Sequence, residues 1–72
     1  MVVSCPPMFA SEVGHALLDK HPDAPFAATY YDTANGRMWS LRSRDDRVDV
    51  WTVATRFGGG GHRNAAGFGT PA

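Results

Sequence analysis

The stretch FAATYYDT-ANG-RMWSLRSR, residues 26–44, decides the fold. Its first part, Phe26 to Thr33, is aromatic, contains the β-branched Thr29 and is apolar on both alternating faces, which predicts an interior strand. Asn35-Gly36 between two strand-like runs is the strongest short-range hairpin signal, because both residues tolerate positive φ. Arg37 to Arg44 is then the return strand. Period-two alternation separates Trp39 and Leu41 from Ser40 and Arg42, so one face is expected to pack while the other presents a hydroxyl and a guanidinium.

On the N-terminal side of the hairpin, Ala10, Val13, Ala16, Leu17 and Leu18 recur at helical spacing. The predicted helix runs from Ser11 to Lys20, with Ser11 as N-cap, Glu12 complementing the dipole, and Gly14 a weak point costing up to about 1 kcal/mol. Residues 1–8, with Pro6 and Pro7, read as a strand fragment or linker. On the C-terminal side, Asp49 caps a second helix whose Val50, Val53, Ala54 and Phe57 share one face, and Gly58 is placed to end it. Strands and helices in this order predict a small α+β domain: a central hairpin sheet, two short helices packed on it, and a Gly-rich loop leading to a short C-terminal strand or turn.

A chain of 72 residues is one domain at most, and buries only about 60% of the surface that its unfolded form exposes. With one cysteine, Cys5, it makes no internal disulfide, so a partner surface is the expected support. At 43% hydrophobic and 19% charged it is too apolar for a disordered chain. Its apolar runs are too short for a membrane span, and its first residues lack a signal peptide's pattern, so a cytoplasmic protein is expected. The formal net charge is zero, but residues 1–36 carry one lysine against four carboxylates, and residues 37–63 carry six arginines against three. That skew is compatible with a local anion site and equally with a plain preference for arginine.

The chemistry concentrates in FGGGGHRNAAGF, residues 57–68. Glycines allow left-handed backbone and close approach of N–H groups to a ligand, and consecutive N–H groups can form an anion-binding concavity. His62 and Arg63 follow immediately, a donor beside a guanidinium suited to bidentate phosphate binding. A P-loop would require Lys-Ser/Thr after the last glycine, and neither frame of the run fits the Rossmann spacing. His15 and Asp19, four apart, and the acidic set Asp45, Asp46 and Asp49 read more simply as polar surface, caps and turns than as metal sites.

GGGGHRNAAGF, preceded in order by Ser11-Glu12-Val13-Gly14, TYYD, Ser40-Leu41-Arg42-Ser43 and the Asp49–Phe57 helix, resembles the C-terminal associated domain of the DHH-family phosphoesterases. The likeness runs from about Met8 to Phe68, so residues 9–72 would be that domain. The resemblance implies a substrate-recognition role, with Gly58, Gly59, Gly60, Gly61, His62 and Arg63 as substrate contacts and Ser40 and Arg42 as second contacts. The implied ligand is a nucleotide or short single-stranded oligonucleotide. Manganese is implied only for a separate catalytic DHH domain, whose Asp-His-His motif does not occur here, so this chain is expected to hold no cofactor and to lack turnover alone. The alternative is a non-catalytic interaction module with a structural Gly loop, whose apolar hairpin face docks on another protein or forms a homodimer.

Overall fold

The computed structural model describes residues 2–71. Its elements are β1 (Val2–Ser4), a short 3-10 turn (Pro7–Phe9), α1 (Ala10–Lys20), β2 (Ala27–Thr33), β3 (Gly36–Arg42), α2 (Val50–Thr55), β4 (Gly60–His62) and β5 (Ala65–Pro71). The strands form one sheet in the order β1-β2-β3-β5-β4. β1 runs parallel to β2, with α1 as the crossover that a parallel pair needs, and the other pairings are antiparallel. This is the α+β architecture expected from the sequence. The C-terminal element is more than a short strand or turn: β5 is seven residues long and lies inside the sheet, between β3 and β4.

The hairpin spans Ala27↔Arg42 to Thr33↔Gly36. Its turn differs from the Asn-Gly expectation, because Ala34 and Asn35 are the two linking residues and only Gly36 takes a positive φ, +149°. Thr33 supplies the bracing: its hydroxyl donates to the Gly36 carbonyl at 3.0 Å and accepts from the Asn35 N–H at 3.3 Å.

α1 starts one residue before Ser11, which does not cap it. Phe9 holds the cap position without a side-chain bond, since the preceding 3-10 turn, with Pro7 at its start, already feeds helical backbone into Ala10. At the other end the guanidinium of Arg47 donates to the carbonyls of Leu18, His21 and Ala24, satisfying acceptors that a helix C-terminus leaves open. α2 is capped as expected, with the Asp49 carboxylate accepting from the Trp51 N–H at 3.0 Å. It closes before Phe57. Gly58, at φ +83°, donates to the Thr55 carbonyl and Gly59 to that of Ala54, the paired bonds of a Schellman motif.

Register and alternation put the two helices on opposite faces of the sheet. Ala28, Leu41, Val50, Ala54 and Ala66 form the core under α2, flanked by Phe26, Trp39, Val53 and Phe68. Ala27 and Thr29 point the other way and are buried with Leu18 of α1. The expectation of one packed and one open face is therefore corrected: each face carries one helix, and alanines on the strands let both helices approach closely. Leu18 and Val50 are fully buried, each contributing about 1.5–3 kcal/mol by its removal from water. Among the described residues no helix is long and apolar enough to cross a membrane.

Candidate functional site

The strand pairings align side chains in rows across the α1 face. One row is Ala27–Arg42–Ala65–His62, and the next is Thr29–Ser40–Gly67–Gly60. α1 covers the β2 and β3 end of these rows and leaves the β5 and β4 end open. Ser40, Arg42, Gly60 and His62, which come from two distant parts of the sequence, thus share one surface. With strands spaced by about 4.8 Å, the backbone positions of Arg42 and His62 lie roughly 10 Å apart.

The four consecutive glycines do different things. Gly58 ends α2. A Cβ on Gly59 would lie 2.0 Å from the Gly67 carbonyl oxygen and 2.6 Å from the Cβ of Phe68. One on Gly61, at φ +139°, would lie 2.5 Å from the Ala65 carbonyl oxygen. These two glycines let β4 press against β5. At Gly60 a Cβ would meet nothing within 4 Å, so neither packing nor dihedral demands a glycine there. The expected loop of free amides is also redistributed, because the Gly58 and Gly59 N–H groups close α2 and residues 60–62 pair as a strand.

Arg42 reaches its place through α1. Its Nη1 donates to the Leu41 carbonyl at 2.9 Å, and its aliphatic stem passes beneath Gly14, where a Cβ would lie 2.6 Å from Arg42 Cγ. The sequence marks Gly14 only as a weak point in the helix, whereas the structure makes it the passage for a guanidinium. Gly14→Ala should therefore destabilise the protein by about 1–3 kcal/mol through overpacking. In an Arg42→Gly background, which also removes the Arg42 Cβ lying 3.0 Å from that position, the same substitution should stabilise by up to about 1 kcal/mol, from helix propensity alone. A urea-denaturation double-mutant cycle without that sign reversal would refute the packing account.

Arg63 stands apart from the row. It lies in the two-residue turn between β4 and β5, where its guanidinium donates to the carbonyls of Asp45 (3.1 Å) and Arg47 (3.4 Å) and sits 3.6 Å from the Asp49 carboxylate. Beside it Asn64 donates to the Asp45 carboxylate at 2.7 Å. Ser43, buried and donating to the Val48 carbonyl, completes the loop. Asn64 and Ser43 carried no signal as site residues in the sequence beyond their place inside HRNAAG and SLRS. Asp19 pairs with Arg44 at 2.6 Å, and the same guanidinium nitrogen lies 3.5 Å from the His15 carbonyl. Among the described residues no group of three or more His, Cys, Asp or Glu is placed to hold a metal ion.

The α2 face carries a different surface. Tyr30, Trp39, Phe68 and Phe57 form a continuous aromatic series, with centroid separations of 5.2, 6.1 and 4.7 Å. An apolar groove of about 210 Å³ opens beside it, walled by Val2, Phe26, Trp39 and Phe57 among others. At its margin Arg37 lies 4.0 Å over the Tyr30 ring and bonds Asp32 at 2.7 Å. That hydrogen bond holds the Asp32 carboxyl below its ordinary range and raises Arg37 above its own.

No family model matches the chain. It is 46% identical over 63 residues to an uncharacterized protein of Acanthamoeba polyphaga mimivirus, a match covering 85% of this chain and 15% of that protein. A crystal structure of an uncharacterized protein from Helicobacter pylori G27 is similar at a TM-score of 0.76 and 30% identity, over 97% of this chain and 19% of that one. The chain thus spans less than a fifth of the length of either protein, and in the Helicobacter pylori structure the similar fold is a segment of a much larger molecule.

Proposed function

We propose that the chain is the substrate-recognition domain of a DHH-type phosphoesterase, holding the phosphate of a nucleotide or short single-stranded oligonucleotide on its α1 face. One observation carries the reading: Ser40 and Arg42, half-buried at the margin of α1, stand in rows with the exposed Gly60 and His62, and Gly60 is the glycine of the run that neither packing nor dihedral requires. A hydroxyl, a guanidinium and an imidazole supply donors and positive charge to an anion, and a bare backbone at Gly60 lets that anion lie close to the sheet. Hydrolysis belongs to a separate metal-bearing domain. The location of this fold within much longer proteins supports that division.

The test is fluorescence anisotropy with a labelled single-stranded RNA pentamer at low salt. His62→Ala should weaken binding about tenfold, the scale of a lost hydrogen bond to a charged group. Gly60→Val should weaken it similarly while leaving the melting temperature unchanged or raised, since its side chain enters open space on a strand. No binding by the wild-type chain, or full affinity in both variants, would refute the reading.

A further inference from the structure

We infer that Arg63 is a positioning residue: it clasps the β4–β5 turn to the loop leading into α2 and so holds His62 in the row with Arg42, without touching the ligand. This rests on the α1-face reading and reverses the contact role that the sequence resemblance gives to Arg63. Its guanidinium is engaged by two carbonyls and the Asp49 carboxylate, and the other oxygen of that carboxylate caps α2 through the Trp51 N–H. One acidic side chain therefore joins the first turn of α2 to the hairpin. The main chain adds two bonds, from the Val50 N–H to the Arg63 carbonyl at 2.9 Å and from the Ser43 N–H to the Asn64 carbonyl at 3.0 Å. Asn64 adds its own bond to Asp45. A phosphate approaching this guanidinium would meet the Asp49 charge, whereas His62, one residue earlier and exposed, has no such neighbour in the sheet row. Lysine, a point charge without a fork, cannot make the same set of bonds.

Three measurements on Arg63→Gln, Arg63→Lys and the control Arg56→Gln test this. Arg56 forms no ion pair or side-chain hydrogen bond among the described residues, so its variant carries the same charge change without the clasp. In both Arg63 variants the Ser43 and Val50 amides should exchange faster, and the His62 imidazole Cε1–H resonance should shift or broaden. Both should bind the RNA pentamer about fivefold more weakly, with the slope of log affinity against log salt unchanged. Arg56→Gln should resemble wild type in all three. A slope that falls by about 0.7 in Arg63→Gln, with lysine restoring it, would make Arg63 a phosphate contact and overturn the inference. If the wild-type chain binds no RNA, the α1-face reading fails by itself, and the amide and imidazole signals still decide the clasp: wild-type values in Arg63→Gln overturn it.

Discussion

Gly59→Ala is expected to remove at least about 3 kcal/mol of stability and to detach β4 from the sheet, placing it in the upper range of single substitutions. The added methyl would lie 2.0 Å from the carbonyl oxygen of Gly67 and 2.6 Å from the Cβ of Phe68. Neither neighbour can yield, since Gly67 is paired with Ser40 on one side and Gly60 on the other. Gly59 cannot retreat either, because its N–H closes α2 on the Ala54 carbonyl at 3.0 Å. At about 0.05–0.15 kcal/mol per residue, a chain of this length has only about 4–11 kcal/mol in total, so the loss approaches global unfolding. Gly60→Ala, one position on, should change stability by no more than about 0.5 kcal/mol. Thermal and urea denaturation of the two variants side by side measure the contrast, and equal midpoints would refute the account of the glycine run.

Leu18→Ala is the second large effect, expected at about 2–5 kcal/mol. Leu18 is fully buried, and it is the largest such side chain on either helix. α1 packs on β2, whose buried residues on that face are the small Ala27 and Thr29, too small to refill the space, so most of the cavity should persist. The damage should reach the candidate site, since α1 also forms the roof over the Arg42 stem at Gly14. Urea denaturation gives the number, and a loss below about 1 kcal/mol would mean that α1 is held chiefly by Arg47 and Arg44 at its C-terminal end.

The legible parts of the fold were those with local causes. The interior strand before Asn35, the Asp49 cap and the Gly58 stop each read correctly because the side chain or dihedral responsible lies within a few residues. The unread parts depend on partners far along the chain. Nothing near Ser11 announces that a 3-10 turn starts the helix early, and nothing near Gly14 announces Arg42. The length and interior position of β5 were hidden because AAGFGTP is poor in β-branched residues, and its strand state comes from pairing with β3 and β4. At the candidate site, adjacency in sequence concealed that His62 faces the sheet row while Arg63 turns to the Asp45–Asp49 loop.

The interior place of β5 has a consequence for synthesis. The β2–β3 hairpin is complete once Arg42 has left the ribosome, yet α2 rests mainly on β5 and β4 and has only the Ala28–Leu41 part of its floor until residues 65–71 emerge. At about 5–20 residues per second that interval lasts a few seconds. Throughout it β3 offers an unpaired edge beside Leu41 and Trp39, a template for pairing with another chain. The period of greatest exposure to misassembly is thus set by the sequence distance from Arg42 to Ala65, independently of how stable the finished sheet is.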